Sequence, residues 1–441
     1  MLIQTRLSRT FSMFCIFVAS IALFTAISVT YAFADDVWDG TTASSFESGS
    51  GGKDDPFIIE TGAQLKYLQT LVADSDSQSA YNTSSVYYKI TDNIYLNTSA
   101  VTADMVNINT SGVSGVTGYS GTLREWVPIG GAAGSFSFKG HLDGNGHSIY
   151  NIFYNHSGGT YTTGINERNN AGFIGKLEEG ASVENLKLVG GYFGGQRSIG
   201  AVVGKSWGTI SNCENSGVYV YANQSKGVGG IVGANWLNTS TSTPPLVKNC
   251  KNSGIVFSGY STGSAGGTAG ENEGTIVNCE NSGIVYSRYN AGGLVGSNKS
   301  TGNKGTLALN SLIINSFNNG NVGACPSVKP VNETASASAT YAGGIVAYQA
   351  YSARNCYSVG TITGTYAGQL IGQISSTATN DYLYYLSGSA VGTGTSSITA
   401  NTFSSGAALK TLLNTNQSAL SGYSLALSTW LCGEDDYYPH F

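Results

Sequence analysis

Charged residues are scarce in this sequence, and basic residues are scarcer than acidic ones. Asp, Glu, Lys and Arg make up 11% of the 441 residues, against about 25% in ordinary soluble domains. The solvent-exposed surface must therefore consist mainly of Ser, Thr, Asn and Tyr. The formal net charge of −5 leaves no basic patch of the kind that nucleic-acid binding requires, so no nucleic-acid partner is predicted.

Long apolar runs are absent after the N-terminus. Arg6 and Arg9 precede an uncharged apolar stretch that ends in an A-x-A cleavage site at residues 32–34. This pattern predicts a secretory signal peptide over residues 1–34 and a protein that is secreted or held at the cell surface. The stretch is also long enough to span a bilayer, so an uncleaved anchor is the alternative. No other membrane contact is predicted, and the mode of attachment and the oligomeric state are left open.

The most conspicuous positive feature is a repeated AGGLVG-like motif. Its copies are AGFIG, IGAVVG, VGGIVG, AGGTAG, AGGLVG, AGGIVA and AGQLIG, which end at positions 175, 204, 233, 270, 296, 347 and 372. The steps between these positions are 29, 29, 37, 26, 51 and 25 residues. A unit of this length with insertions at some joints predicts a solenoid.

A second motif lies between copies of the first and places the same residue types at matching offsets. Its members align an asparagine, then a cysteine, then a glycine four residues later. The asparagines are Asn212, Asn249, Asn278, Asn315 and Asn355, and the cysteines are Cys213, Cys250, Cys279 and Cys356, with Ser316 in the fourth repeat. A weaker first copy has Leu186 at the cysteine position, which indicates that this position faces a dry interior.

Short β-branched runs between glycine and asparagine predict about three strands in each unit. Stacked coils pair these strands in parallel, so equivalent residues form columns with a spacing of about 4.8 Å. The asparagine column is predicted to be structural, with amides that hydrogen-bond along the stack and to corner backbone groups. Glu214, Lys251 and Glu280 follow the cysteines and should face solvent, where their alternating charges attract one another.

Six cysteines remain after signal cleavage, an even number that would allow disulfides in an exported chain. Four of the six occupy one repeat position with parallel Cα–Cβ directions, however, which suits disulfide geometry poorly. We therefore predict buried thiols that pack as small apolar side chains. The cysteines show no C-x-x-C spacing and no nearby histidine, so neither a metal site nor a cofactor is predicted.

The two ends of the array carry helical patterns. Leu65, Leu68, Leu71 and Val72 have helical spacing after a Thr61/Gln64 capping box, and Leu409, Leu412 and Leu413 have it near the C-terminus. These helices are predicted to cover the open ends of the solenoid. The predicted organisation is a capping region with the first strands over 35–135, a parallel β-helix over 136–390, and a capping helix and tail over 391–441. Residues 100–122 are predicted to be a polar inserted loop.

Three clusters contain residue types that can perform catalysis. His141, Asp143, Asn145 and His147 alternate, but D-G-N-G is a turn signal, which favours a polar corner. The carboxylate pairs Glu178/Glu179 and Glu271/Glu273 could flank a glycosidic bond, but each lies beside turn glycines and is predicted to be a solvated corner. The residue set typical of polygalacturonases is not assembled. No catalytic residue is predicted, and a polysaccharide hydrolase or lyase is the alternative.

The linked repeats over 171–372 resemble the GLUG motif, and the WDG, FESGSGGKDDPFII and AQLKYL segments resemble the start of GLUG-repeat bacterial surface proteins. The resemblance implies an all-β, right-handed parallel β-helix and an exported, adhesin-like protein. What members of the family bind is mostly unassigned, and a host or matrix glycan or protein is the partner expected here. The motif also occurs in immunoglobulin A metallopeptidases, but this chain has no H-E-x-x-H sequence, so that activity is not implied. A ligand-free structural scaffold is a further alternative.

Tyrosines before the AGG motifs are the best candidates for ligand binding. Tyr260, Tyr289, Tyr341 and Tyr366 should form one column, and aromatic faces suit sugar rings. Insertions 236–247, 298–310 and 324–340 are predicted to interrupt the same part of the array, where long loops on a rigid solenoid provide binding surfaces. The alternative is that the tyrosines only stack on each other and stabilise the corner.

Overall fold

The computed structural model describes residues 37–131, 136–158, 169–224, 227–238, 243–299, 311–375, 378, 380–386, 400–403, 405–423, 425–432 and 438–441. The predicted signal peptide, residues 1–34, lies outside them. Residues Trp38–Phe441 form one compact unit. The predicted capping region, 35–135, is therefore continuous with the β-helix, because its strands Phe57–Ile59, Tyr87–Ile90 and Ile94–Tyr95 already belong to the largest sheet.

The described strands form a parallel β-helix with three sheets, which confirms the predicted fold class. Sheet B has seven strands: Ile174–Leu177, Val203–Ser206, Val232–Asn235, Ala269–Asn272, Val295–Asn298, Val346–Gln349 and Ile371–Ile374. Sheet C has six strands: Ile199–Gly200, Gly227–Gly229, Ser264–Gly266, Asn290–Gly292, Ala339–Gly343 and Gly364–Gly368. Each strand pairs in parallel with its equivalents in the next coils, so the AGG motifs stack on one another.

Sheet A contains the remaining strands. At its N-terminal end are Phe57–Ile59, Tyr87–Ile90, Ile94–Tyr95, His141–Asp143, Ser148–Asn155, Ser182–Glu184 and Lys187–Gly195. The middle coils contribute Thr209–Ser211, Glu214–Ser216, Tyr219–Ala222, Leu246–Lys248, Lys251–Asn252, Ile255–Ser258, Thr275–Val277, Glu280–Asn281 and Ile284–Ser287. The last coils contribute Leu312–Ile314, Phe317–Asn318, Ser352–Ser358, Asn380–Leu386 and Ala400–Phe403.

One coil shows how the chain passes through the sheets. It runs through sheet C at Ile199–Gly200, sheet B at Val203–Ser206, and sheet A at Thr209–Ser211, Glu214–Ser216 and Tyr219–Ala222. A typical coil thus has five short strands in three sheets, where the sequence predicted three strands. Corners at Asn212 and Gly217, which have φ values of 53° and 84°, divide the sheet A part into three.

The asparagine column is a hydrogen-bonded ladder at one of these corners, as predicted. Its members have left-handed backbone conformations with φ between 51° and 54°, which asparagine tolerates better than most residues. Each side-chain Nδ2 donates to Oδ1 of the preceding asparagine at 2.8–2.9 Å, through Asn185, Asn212, Asn249, Asn278, Asn315 and Asn355. Asn185 donates in turn to Asp143 Oδ1 at 2.8 Å. The column thus fixes both a strained corner and the register between coils.

The cysteine column lies inside the core, which confirms the predicted burial. Cys213, Cys250, Cys279 and Cys356 are at most 1% exposed, and the described cysteines are free thiols. Each of these four thiols donates to the carbonyl oxygen two residues earlier, at 3.1–3.3 Å. Burial raises the pKa of the Cys356 thiol to about 12, so the neutral thiol is the form that this interior accommodates.

The predicted outward charges form a ladder on the other side of the same strands. Lys187 pairs with Glu214 at 2.9 Å and Lys251 with Glu280 at 3.3 Å, and strand pairing places Lys251 between Glu214 and Glu280. These side chains are between 18% and 51% exposed. Such exposed pairs contribute at most about 1 kcal/mol each, so the ladder stabilises the fold only slightly. Its main use is to show which side of these strands faces solvent.

Two further amide ladders lie inside the molecule, and the sequence analysis did not identify them. Asn252 donates to Asn281 and Asn281 to Asn318, both at 2.7 Å, and these side chains are at most 1% exposed. The second ladder follows the end of sheet B, with distances of 2.8–3.0 Å, through Asn235, Asn272, Asn298, Gln349 and Asn380. The repeated asparagine two residues after the cysteine was a signal for the first of them.

Close packing around one of these ladders explains the two adjacent glycines of the AGG motif. A Cβ atom on Gly292 would lie 1.8 Å from the Val295 carbonyl oxygen. A Cβ atom on Gly293 would lie 2.0 Å from the Gly344 carbonyl oxygen and 2.4 Å from Asn318 Cγ. A side chain cannot occupy either position without moving backbone atoms. The first glycine therefore permits the tight bend between sheets C and B, and the second makes room for the amide ladder.

The predicted N-terminal helix is present as α1 (Gly62–Ala73), followed by the short helix α2 (Gln78–Tyr81). Thr61 and Gln64 form the capping box, with Thr61 Oγ1 accepting from Gln64 N at 3.2 Å. Leu65, Leu68 and Val72 are fully buried in the core of the first coils. The amphipathic pattern therefore places α1 against the β-helix interior.

The predicted C-terminal helix is also present, as α3 (Gly406–Ala419), and Ser405 caps it. Leu409 and Leu413 are buried, whereas Leu412 is 40% exposed. The helix contacts three successive strands, Ser352–Ser358, Asn380–Leu386 and Ala400–Phe403. It therefore lies along the flank of the last coils, whereas the sequence analysis predicted a cap over the open end.

An aromatic column explains this position of α3. The outward column that carries Glu214, Lys251 and Glu280 continues as Phe317, Tyr357 and Tyr384. Those three rings are buried under Leu409, Leu413 and Trp430. Replacement of outward charges by aromatic residues creates an apolar flank, and the C-terminal segment covers it. Three short 3-10 helices, Ala103–Met105, Val113–Gly115 and Ser421–Tyr423, complete the described helices.

The assignment of inward and outward sides in sheet A predicts opposite outcomes for two adjacent substitutions. Cys279→Asp would place a charge in the dry interior and should lower the free energy of unfolding by more than about 3 kcal/mol. Glu280→Gln removes only one exposed ion pair and should change it by less than about 1 kcal/mol. Urea denaturation of the two variants measures both values, and equal losses would show that the assignment is wrong.

Candidate functional site

The predicted tyrosine column is a cluster of three rings rather than a column of four. Tyr341 and Tyr366 occupy equivalent positions in sheet C, and their rings stack with centroids 5.2 Å apart at an interplanar angle of 20°. Tyr289 lies one residue before that position, since Asn290 pairs with Tyr341, and its ring meets Tyr341 edge-on at 5.3 Å. Tyr366 is 45% exposed, so its ring can contact a ligand.

Tyr260 does not belong to this cluster. It lies in a turn in which the Gly263 N–H donates to the Tyr260 carbonyl oxygen. The residue of this coil that pairs with Asn290 is Ser264, four residues after Tyr260. Its ring is 40% exposed. The prediction failed here because Tyr260 lies five residues before its AGG motif, within the connection between sheets A and C, whereas Tyr341 and Tyr366 directly precede theirs.

The three predicted insertions interrupt two different corners. Residues 236–247 and 298–310 both connect sheet B to sheet A, whereas residues 324–340 connect sheet A to sheet C. The prediction of a single shared position is therefore wrong for the third insertion. Residues 239–242 and 300–310 lie outside the described part of the chain. The tyrosine cluster is on the same corner as 324–340 and not on that of the other two insertions.

The third insertion covers an aromatic stripe on the outer side of sheet A. The stripe consists of Phe153, Tyr192, Tyr219, Tyr221, Phe257 and Tyr286, all at most 5% exposed. Residues 100–122, predicted to be a polar inserted loop, cover the same stripe with the buried side chains of Val101, Ala103 and Val106. The two covering segments meet where Val331 N donates to the Val106 carbonyl oxygen at 2.7 Å. Both segments are thus packed structure.

Glu333 fixes the third insertion to the stripe. Its carboxylate, 3% exposed, forms an ion pair with Arg288 at 2.7 Å and accepts hydrogen bonds from Tyr221 Oη at 2.6 Å and Ala335 N at 2.8 Å. Burial and the neighbouring carboxylate raise the pKa of Tyr221 well above its ordinary value, so the phenol remains a donor. A buried carboxylate with three donors is well satisfied, and it marks a structural latch between sheet A and the insertion.

The histidine cluster forms a polar corner, as the turn signal indicated. His141 Nδ1 lies 2.9 Å from Ser182 Oγ, its Nε2 lies 3.0 Å from the Ser84 carbonyl oxygen, and Tyr87 stacks on the ring. Asp143 accepts from the backbone N–H of Asn145 at 2.7 Å, in addition to the Asn185 amide. Among the described residues, no group of three His, Cys, Asp or Glu side chains has a geometry that could hold a metal ion.

The prediction of solvated corners is wrong for Glu271 and Glu273. Both are buried, at 3% and 8% exposure. Glu271 Oε1 pairs with Lys299 Nζ at 2.6 Å, and its Oε2 accepts from Trp236 Nε1 at 3.0 Å. Long side chains of neighbouring coils cover this corner, which the local glycine pattern could not indicate. Glu178 and Glu179 remain partly exposed and line a cavity.

Within the described residues, no helix has both the length and the apolar character that a membrane crossing needs. No family model matches the sequence, so membership of the GLUG family remains a prediction.

The sequence is similar to parts of two longer proteins. Halomucin of Haloquadratum walsbyi is 28% identical over 195 residues, which cover 44% of this chain and 2% of halomucin. A protein assigned as a Gly-rich membrane protein of Evansella cellulosilytica is 26% identical over 246 residues, which cover 49% of this chain and 24% of that protein. The chain thus matches only a small part of each relative.

A solved structure, that of a protein assigned as an immunoglobulin A1 protease from Bacteroides ovatus, is similar with a TM-score of 0.48 and 18% sequence identity. The similarity covers 90% of this chain and 95% of that protein. At this level of similarity, neither activity nor ligand transfers to the present chain.

The Glu333 latch predicts that its loss exposes the aromatic stripe. In Glu333→Ala, Arg288 and Tyr221 lose their buried acceptor, and each hydrogen bond to a charged group contributes about 1.5–3 kcal/mol. Limited proteolysis should therefore cut within 324–340 at least several-fold faster than in the native protein, and binding of a hydrophobic dye should increase. Glu214→Ala, which removes a carboxylate from an exposed pair, should change neither. Unchanged proteolysis of Glu333→Ala would contradict the latch.

Proposed function

We propose that this chain is an exported β-helix of the cell surface or extracellular space that binds a host or matrix glycan or protein, as an adhesin does. The predicted signal peptide supports export. The relatives whose names denote a mucin-like and a membrane protein support a surface location. The resemblance to GLUG-repeat surface proteins supports adhesion.

The observation that carries the binding function is the stacked Tyr341–Tyr366 pair. The pair presents an aromatic surface on a corner of the β-helix, and Tyr366, at 45%, is the most exposed aromatic residue in the described part of the chain. The Tyr289 ring supports Tyr341 from the side, so the surface is rigid before binding. Rigid aromatic residues contribute large contact areas at small entropic cost, which is why tyrosine is frequent in binding surfaces.

The enzymatic alternative has less support from the described residues. His141 and Asp143 are engaged in corner hydrogen bonds, and Glu271 is held by Lys299 and Trp236. A carboxylate that acts as acid or base needs access to the substrate. A ligand-free scaffold is the remaining alternative, and the same experiment separates it from an adhesin.

The experiment compares native protein with Tyr341→Ser/Tyr366→Ser in binding to an immobilised glycan panel and to immobilised matrix proteins. We expect the double variant to lose at least tenfold in affinity per folded molecule, because two aromatic contacts are removed. Tyr260→Ser is the matched control, since it removes an equally exposed tyrosine outside the cluster, and it should bind as the native protein does. Equal binding by the double variant would exclude the cluster as the site, and no binding by the native protein would favour the scaffold.

A further inference from the structure

A second polar surface lies at the N-terminal part of the β-helix, away from the tyrosine cluster. It begins as an open cavity of about 490 Å³ whose lining side chains are all polar and include Ser79, Asn82, Lys139, Glu178 and Glu179. This volume lies in the range of small-molecule binding sites. The cavity is formed where helix α2 and the residues after it approach the corner between sheets B and A.

Buried hydrogen bonds fix one wall of this cavity. Asn82 is 1% exposed; its Nδ2 donates to the Ser137 carbonyl oxygen at 2.9 Å, and its Oδ1 accepts from Lys139 N at 2.8 Å. Asn82 thus ties the end of α2 to the segment that carries Lys139. On the other wall, Asn238 Nδ2 donates to Glu179 Oε2 at 3.0 Å. Both walls are therefore held in place by hydrogen bonds within the protein.

Every side chain of the lining carries a hydrogen-bonding group, and the carbon atoms of the same side chains contribute much of the cavity surface. Carboxylates accept hydrogen bonds, the lysine ammonium donates them, and the amide and hydroxyl groups do both. An apolar peptide or a lipid chain would leave these groups without partners, at a cost of about 1–3 kcal/mol for each buried group. A ligand that carries many hydroxyl groups satisfies the same groups. The chemistry of the cavity therefore fits a carbohydrate.

Two tryptophans extend the surface from the Glu178 side of the cavity. Trp207 N donates to the Leu177 carbonyl oxygen at 2.9 Å, and Trp236 N donates to that of Ser206 at 3.0 Å. The order Glu178, Trp207, Trp236 thus follows three successive coils, which span roughly 10 Å at a spacing of about 4.8 Å. Both tryptophans are partly exposed, and an aromatic ring can stack on the apolar face of a sugar ring.

Lys205 fixes the orientation of both indole rings. Its Nζ lies 4.4 Å from the ring centroid of Trp207 and 4.1 Å from that of Trp236, within the range of cation–π attraction. Trp236 is also held through its Nε1 by the buried Glu271 carboxylate. The rings are therefore preorganised, and an aromatic platform next to a polar cavity has the arrangement that an oligosaccharide requires.

We propose that the cavity beside Glu178 and Glu179, together with Trp207 and Trp236, is a binding site for an oligosaccharide chain. The carboxylates, Lys139 and Asn82 contact hydroxyl groups at one end of the chain, and the two indole rings stack on the sugar rings that follow. The site lies on the corner between sheets B and A, whereas the tyrosine cluster lies between sheets A and C. It does not depend on the adhesive function proposed for the tyrosines.

Tryptophan fluorescence tests the proposal directly. The other three tryptophans, Trp38, Trp126 and Trp430, are at most 7% exposed, so a ligand that contacts indole rings reports mainly on Trp207 and Trp236. The full-length protein is titrated with cellohexaose, chitohexaose and mannohexaose, with polyethylene glycol as a polar control. We expect a saturable emission change with at least one of the oligosaccharides and none with polyethylene glycol. No saturable change with any of the three would overturn the proposal.

Variants locate the binding. For the oligosaccharide that binds, Trp207→Ala and Glu178→Gln should each raise the Kd at least fivefold by calorimetry, with circular dichroism melting as the check on folding. Trp207→Phe keeps an aromatic ring and should retain most of the affinity, which separates stacking from a folding defect. Tyr341→Ser/Tyr366→Ser should leave this Kd unchanged, so the two proposed sites fail separately. An unchanged Kd in both Trp207→Ala and Glu178→Gln would show that the oligosaccharide binds elsewhere.

Discussion

In-register stacking of parallel coils is the constraint on which the rest of this structure depends. Each side chain lies about 4.8 Å from its equivalents above and below, so a position tolerates only residues that can pack against copies of themselves. Asn278 satisfies this condition because an amide both donates and accepts, and its neighbours Asn249 and Asn315 use both capacities. Cys279 satisfies this condition because it is a small apolar side chain. Glu280 satisfies it because its neighbour in the column, Lys251, carries the opposite charge.

The same constraint determines where the chain can vary. Insertions inside a strand would break the ladders, so they occur at corners, and the two proposed binding surfaces lie on two of these corners. The corner between sheets A and C carries the tyrosine cluster and the latched insertion 324–340. The corner between sheets B and A carries Trp207, Trp236 and the polar cavity. A rigid stack with variable corners provides positioned side chains without a flexible framework.

The sequence predicted those features that depend on the repeat itself. The steps between AGG motifs reproduce the spacing of sheet B strands, and the column that contains Asn212 and the buried position of Cys279 were identified correctly. These predictions hold because a repeated residue must occupy equivalent positions in successive coils.

Features that depend on lateral packing were not accessible from the repeat. The Glu271 carboxylate is buried because Trp236 and Lys299, which belong to other coils, close over it. Helix α3 lies on the flank because three aromatic residues replace outward charges there. In each case the deciding contact joins residues with no fixed spacing in the sequence.

The most direct test of this account is the substitution Asn281→Ala, in the buried amide ladder that includes Asn252 and Asn318. The free energy of unfolding should fall by about 2 kcal/mol or more, because buried donors and acceptors lose their partners. Hydrogen exchange should also become faster in the coils above and below. Asn319→Ala, at an exposed position of the next coil, should change the stability by less than about 0.5 kcal/mol. Equal stability of Asn281→Ala and Asn319→Ala in urea denaturation would contradict the claim that self-complementary columns hold the stack together.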